Sequence, residues 1–248
     1  MFIEIDGVSK QFLHNKTPIL ALQDITLSIE RGEFICFLGP SGCGKTTLLN
    51  MMAGYDKPTS GEIRVDGSVV DAPSIKRVTV FQGYDLLPWR TARKNIEIGL
   101  ESLALSKAER KIAVDKYIDM VGLTDFANHF PYEISGGMRQ RVSIARALAT
   151  NPEVIYMDEP FSALDLITRL SIQKSILGLC RENKKTIIFV THIIDEAILL
   201  ANRIVVFSPY PGKIMRIIDI PPNAKKGEDM PEYKKIKDEI HSLCEVHL

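Results

Sequence analysis

"FICFLGPSGCGKTTLLNMMAG", residues 34–54, decides the fold. Its opening run, Phe34 to Leu38, is continuously apolar, as a parallel strand covered on both faces requires. The run breaks into "GPSGCGKTT" (39–47), which fits G-x-x-x-x-G-K-[ST], and continues into the helical "TTLLNMMAG". Strand, glycine-rich turn and helix in that order present free backbone N–H groups and the positive end of a helix dipole to an anion. Gly39, Gly42 and Gly44 let the backbone wrap phosphate oxygens closely. Lys45 reaches the β- and γ-phosphates, Thr46 offers its hydroxyl to Mg2+, and Thr47 is a contact for the α-phosphate. With Pro40, Ser41 and Cys43, these residues form a candidate loop for a nucleoside triphosphate, and Lys45 also counts among the catalytic groups.

Three further runs, "EVIYMDE" (153–159), "TIIFVTH" (186–192) and "RIVVFS" (203–208), are also continuously apolar, and helical patterns separate them. The core is therefore expected to be an α/β layer fold. Residues 2 to about 33 instead alternate, most clearly at Ile25, Leu27 and Ile29, with Arg31-Gly32 as a turn, and "GEIRVDG" (61–67) alternates likewise. These segments predict an antiparallel sheet with one wet face. Between Gln82 and Ser135 helical patterns dominate. "SKAERKIAVDKYIDMVG" (106–122) opens on a Ser106–Glu109 capping box, carries Val114, Tyr117, Ile118 and Val121 on one face, and closes at Gly122. A helical lobe at about 86–150, inserted in the α/β core, is expected; the alternative is that these helices belong to the layers of the core sheet. After residue 208, "SPYPGKIMRIIDI" reads as a turn into one more strand and "PPNAKKGEDMPE" as a surface linker. Tyr233, Ile236, Ile240 and Leu243 then share one helical stripe, suited to packing on its own domain. The expected organisation is a domain at 1–222, followed by a linker and helix at 223–248.

The 248 residues carry 31 basic and 31 acidic side chains, so no long-range field draws the chain to nucleic acid or anionic lipid. Cys36, Cys43, Cys180 and Cys244 lack CxxC spacing, which favours reduced, intracellular thiols over a zinc site or a disulfide framework. The start has no signal pattern, and no apolar run approaches the roughly 18 to 20 residues that cross a bilayer. Membrane association is expected only through a partner.

A triphosphate site also needs an acid for the metal and a group that activates water. "VIYMDEP" delivers Asp158 and Glu159 at the carboxyl end of a buried strand, where ligands sit in parallel sheets. Asp158 is assigned to Mg2+ and Glu159 to general-base work, although an acidic pair ending a strand is, alone, more often a helix cap or turn. His192 ends "TIIFVTH" at the same edge, where it is either a γ-phosphate partner orienting Glu159 and water or a bystander. Gln82 closes "VTVFQ" and offers an amide oxygen to Mg2+, which places it among both the catalytic and the metal-binding candidates. Beyond it stands Trp89, the only tryptophan, either an exposed anchor for a partner or tucked into its own lobe. "EISGGMRQRVSIARAL" (133–148) is a second glycine-rich helix start, with Ser135, Gly136 and Gly137 opening a helix whose stripe is Met138, Val142, Ala145 and Ala149.

Taken in order, the phosphate loop, Gln82, "ISGGM" (134–138), Asp158-Glu159, "SALD" (162–165) and His192 resemble the ATPase subunit of an ATP-binding cassette (ABC) transporter. The resemblance covers residues from about 3 to 220. It implies a P-loop NTPase core with a small antiparallel β lobe and a helical lobe, ATP and Mg2+ as ligands, and an aromatic that stacks on adenine, for which Phe12 is the candidate. It also implies a head-to-tail dimer, in which Ser135, Gly136 and Gly137 serve the nucleotide held by the phosphate loop of a second copy. "LLPW", "SGGMRQRVSIARAL" and "THIIDEA" are most similar to the import branch that handles nitrate, aliphatic sulfonates and taurine. That branch implies a peripheral protein on the cytoplasmic face of the cell membrane. Permease subunits would dock near Trp89, an extracytoplasmic solute-binding protein would act indirectly, and nucleic acid would not be a partner. Ile134 stands where Leu is usual, and Met138 stands where Gln is usual. The alternative is an ABC-type ATPase acting on nucleic acid or the ribosome.

Overall fold

The structure is a computed structural model and describes residues 1–15, 17–83, 85–101 and 103–245. It forms two compact units, Met1–Ser74 with Asn183–Leu248, and Ile75–Glu182. The chain begins in the first unit with β1 (Ile3–His14), β2 (Thr17–Ile29), β3 (Phe34–Leu38), α1 (Lys45–Ala53), β4 (Ser60–Val65) and β5 (Ser68–Val69). The second unit takes β6 (Arg77–Val80), α2 (Ala92–Glu101), α3 (Lys107–Met120), α4 (Gly136–Ala149), β7 (Val154–Asp158) and α5 (Leu166–Asn183). The chain then returns to the first with β8 (Thr186–Thr191), α6 (Ile194–Leu200), β9 (Arg203–Phe207), β10 (Ile214–Asp219) and α7 (Pro231–Glu245).

In the first unit the alternating segments build the antiparallel sheet β2-β1-β4-β5. Ile3 faces both Ile29 and Val65, and the inward row Ile3, Ile5, Val8, Ile25, Leu27 and Ile29 is buried. The continuous apolar runs behave differently, because every residue of β3 and β8 is buried. β3 lies parallel between β8 and β9, with β10 antiparallel on the outer side of β9. Helices α1 and α6 pack against these strands, which explains why no polar face survives in them. Register decides which residues share an edge of the sheet: Leu38 pairs with Thr191, so the loop after β3 and the residue after β8 leave it side by side.

The entry to β3 is fastened by polar contacts. Gly32, at φ +79°, donates its N–H to Thr186 Oγ1 at 2.9 Å, and Asn202 Oδ1 accepts from the Phe34 N–H at 2.9 Å. Arg203 grips the Glu33 carboxylate at 2.5 and 3.0 Å and the Ser28 carbonyl at 2.6 Å.

In the second unit β6 and β7 are parallel, with Val80 opposite Met157, so Gln82 and the Asp158-Glu159 pair also emerge together. Helices α2, α3 and α4 share a core that includes Ile96, Leu100, Val114, Ile118, Val142 and Ala145. The Ser106–Glu109 capping box forms as the sequence predicts. At the other end of α3, Gly122 (φ +63°) donates to the Asp119 carbonyl at 2.9 Å and Leu123 to the Ile118 carbonyl at 3.0 Å, a Schellman stop. Arg141 of α4 adds its guanidinium to the Val121 and Gly122 carbonyls at 2.9 and 3.2 Å, a cation at the negative end of a helix.

The stretch 221–232, expected as a surface linker, is partly anchored. Ala224 is fully buried in a short 3-10 turn that packs on α6, and Lys225 donates to the Leu200 carbonyl at 3.3 Å. A methyl side chain fits a tight contact that composition does not advertise. The stripe of α7 does pack within its own unit, with Tyr233, Ile236 and Ile240 buried. Cys36 and Cys43 are free thiols, whereas the side chains of Cys180 and Cys244 lie outside the described residues. No described helix is long and apolar enough to cross a membrane.

Candidate functional site

The phosphate loop fills the turn from β3 to α1. Gly44 caps α1 in the left-handed region, φ +95°, with no side-chain bond to the first N–H groups of the helix. Lys45 is only 5% exposed, and its ammonium donates to the Gly39 and Pro40 carbonyls at 2.7 and 2.8 Å, with Cys43 Sγ at 3.4 Å. The loop thus holds its cation against two of its own carbonyl oxygens and a thiol. Pro40, Ser41, Gly42 and Thr46 are exposed, Thr47 is half-buried, and Gly39 and Cys43 are buried. Beneath the loop, burial first and the nearby Glu196 second push the Cys36 thiol well up, against a smaller opposing effect of Lys45. It is a core thiol, not a nucleophile.

His192 is exposed where β8 ends, and with Pro40, Ser41 and Gly42 it lines a largely apolar cavity of about 630 Å3. The sheet register places His192 beside the phosphate loop, as the sequence reading requires. Phe12 lies on β1, 42% exposed, with Lys10 Nζ at 5.0 Å from its ring centroid. The ring has a partly open face and a cation on it.

In the second unit, β7 delivers Asp158 at 6% exposure. Glu159 follows at φ +46°, a left-handed backbone that a glutamate rarely adopts. Its carbonyl accepts from the Ser162 N–H at 3.3 Å and hydroxyl at 3.0 Å, a turn that fixes the unusual conformation. Gln82 Nε2 stands 3.5 Å from Glu159 Oε2, so the two candidates are brought together. Strain held in place by its surroundings at such a residue is consistent with a pre-set functional side chain.

Ser135 caps α4, its Oγ accepting from the Met138 N–H at 3.2 Å. A Cβ on Gly137 would stand 3.1 Å from the Ala163 carbonyl, so the 162–165 turn packs directly on this helix start and a larger residue there would push that carbonyl back by a few tenths of an ångström. Both departures in this stretch have structural consequences. Ile134 and Met138 pack on the helical core, and Gln140 is 1% exposed, so no side-chain amide replaces the usual one at the helix mouth. The backbone donors remain.

Sequence reasoning missed Asn95. It is fully buried; its Oδ1 accepts from the Leu87 N–H at 2.8 Å, and its Nδ2 donates to the Leu87, Arg90 and Thr91 carbonyls at 3.1, 2.8 and 3.1 Å. Arg146 adds a bond to the Asp85 carbonyl at 2.8 Å. Together they shape the loop that holds Trp89 out at 70% exposure, which rules out the reading that it is tucked into its own lobe. A lone Asn in an amphipathic helix gives no signal in a sequence.

The family model described as ABC transporter matches residues 22–162. A nitrate import ATP-binding protein of Synechococcus elongatus is 42% identical over 245 residues, which cover 96% of this chain and 89% of that protein. A bicarbonate transport ATP-binding protein of Synechocystis sp. is 42% identical over 244 residues, covering 96% and 86%. An uncharacterized ABC transporter ATP-binding protein of Methanocaldococcus jannaschii is 44% identical over 246 residues, covering 96% and 92%. Among solved structures, a dimeric ATP-binding cassette in a post-hydrolysis state, bound to ADP and Pi, superposes with a TM-score of 0.81 at 36% identity, over 88% of this chain and 99% of that one.

Proposed function

The chain belongs to the ABC transporter family and is an ATPase of it, and from that premise we propose that it drives a membrane permease importing a small anion such as nitrate, a sulfonate or taurine. The observation that carries the reading is the pair of glycine-rich helix starts, Gly44 before α1 and Gly136-Gly137 opening α4. One nucleotide has one γ-phosphate, so the second start serves the nucleotide of a second copy in a head-to-tail dimer. Dimeric cassettes among the similar structures support this, and relatives named for nitrate and bicarbonate support a small anion as cargo.

In this reading Gly39 to Thr47 cradle the phosphates, and Lys45 exchanges its carbonyl partners for phosphate oxygens. Glu159 takes the proton of the attacking water and His192 orients the γ-phosphate. Ser135, Gly136 and Gly137 present backbone N–H groups to the other copy's nucleotide, and Phe12 stacks on the adenine. Thr46, Gln82 and Asp158 would hold Mg2+; hydroxyl, amide and carboxylate oxygens are the donor types a hard cation takes, and the bound ion neutralises phosphate charge. The protein works at the cytoplasmic face of the membrane, with Trp89 and its loop against the permease and a solute-binding protein delivering cargo from outside. The test is to purify the chain with its permease, reconstitute the complex, and measure which solute stimulates ATP turnover. Stimulation by a small anion is expected; a complex silent to nitrate, bicarbonate, sulfonates and taurine would retire the cargo assignment.

A further inference from the structure

The turn that carries His192 is short and thinly capped, and its geometry is held from two sides. Helix α6 begins at Ile194 with no side-chain cap at its N-cap residue, Ile193. On the inner side Thr191 Oγ1 donates to the buried Glu196 carboxylate at 2.9 Å and accepts from the Ile193 N–H at 3.0 Å. These bonds bracket His192 on the side of the sheet. On the outer side Asp195 is gripped by the C-terminal helix: Tyr233 donates its hydroxyl to Asp195 Oδ1 at 2.5 Å, and Lys237 Nζ lies 2.6 Å from the same oxygen.

Helix α7 is itself well seated. Tyr233 and Ile240 are at most 1% exposed, and Glu239 pairs with Arg216 of β10 at 3.3 Å. Its last turn also meets the histidine region, because Leu243 lines the same cavity as His192 and Ile194. Surface ion pairs alone contribute little to stability, but a charge-assisted bond from a buried tyrosine on a packed helix fixes direction as well as distance. The geometry points to α7 as a strut that sets the position of His192, with Tyr233 and Lys237 as positioning residues acting through Asp195. The inference rests on the proposed role of His192 in turnover.

The experiment uses the full-length chain, with Tyr233→Phe and Lys237→Met combined, below the onset of unfolding. The variant keeps the buried ring and the alkyl stem and removes both bonds to Asp195. We expect kcat for ATP to fall about ten-fold with KM within about two-fold, because misplacing a catalytic group by a fraction of an ångström affects the reacting state more than binding. The His192 imidazole resonances, assigned with His192→Asn, are expected to shift. Ile240→Val is the control: it loosens α7 while leaving both bonds in place, and should lower Tm without changing kcat or those resonances. Unchanged resonances in the double variant, with or without a loss of kcat, overturn the strut, as does an equal kcat loss in the control. Shifted resonances with unchanged kcat uphold the strut and remove His192 from turnover, an outcome that His192→Ala with full activity would reproduce.

Discussion

Gly44 and Glu159 share a left-handed backbone, but only one of them is a residue type suited to it. At Gly44 an added Cβ would lie 2.7 Å from Leu22 Cδ2 and 3.0 Å from the Ala21 carbonyl, in a φ that L side chains avoid. Gly44→Ala is therefore expected to cost about 1–3 kcal/mol from the backbone conformation alone, read by urea denaturation. It should also abolish binding of a non-hydrolysable ATP analogue in titration calorimetry; retained binding would remove this loop from the nucleotide site. Glu159 is different, because its strained φ is imposed by the 159–162 turn and its carboxylate is what the position supplies. Glu159→Gln keeps shape and hydrogen bonding and removes the base. Turnover should drop by about 100-fold or more while nucleotide affinity persists, which a phosphate-release assay beside equilibrium binding would establish.

Among the elements, the helices of the second unit pack on one apolar core and are fastened at their ends by polar contacts. Ser106→Ala removes one half of the capping box of α3 and is expected to cost about 1 kcal/mol, measurable by chemical denaturation. Asn95 organises a loop rather than a helix. Asn95→Leu takes the partner from the Leu87 N–H and the side-chain donor from the Arg90 carbonyl, while the Leu87 and Thr91 carbonyls keep backbone N–H groups, and the cost should reach about 2 kcal/mol, with a change in Trp89 emission as its loop rearranges. In the first unit the α6–α7 contact has a defined pH window. Burial alone would raise the Asp195 carboxyl, but the bonds from Lys237 and Tyr233 outweigh it and hold the group below the ordinary carboxylate range. The bond to Asp195 holds Lys237 above its ordinary range. A lowered acid contributes stability that is complete above its unfolded pKa and is lost as pH falls through the folded one; a raised base contributes below its unfolded pKa and loses it as pH rises. The Tm gap between the native chain and Asp195→Asn should thus be widest between about pH 4 and pH 10 and close on the acid side. A gap unchanged below pH 4 would show that the charge on Asp195 contributes nothing.

At the scale of the whole molecule, the proposal requires two copies. Glu159→Gln with ATP should sediment at twice the 27.8 kDa of one chain and return to that mass after nucleotide removal; a monomer under saturating ATP would remove the second glycine-rich start from any role in hydrolysis. Much of this is legible in the sequence. Continuous apolar runs announced the parallel strands, alternation announced the antiparallel sheet, and "GPSGCGKTT" announced the phosphate loop, because each is a local pattern whose chemistry needs neighbours in sequence. Three features were not legible. The register that sets Leu38 against Thr191 is a pairing across 153 positions of chain, and the sequence shows only that both runs are buried. The burial of Gln140 and the outward pose of Trp89 follow from which side of α4 and of the Asn95 loop faces the helical core, a choice made by packing. The grip of Tyr233 and Lys237 on Asp195 joins two helices that sequence patterns treat separately. The sequence by itself determined the elements and the chemistry each one carries. Only the tertiary structure decided which side chains meet, because hydrogen bonds and contacts between distant segments exist only after burial has fixed register and helix rotation.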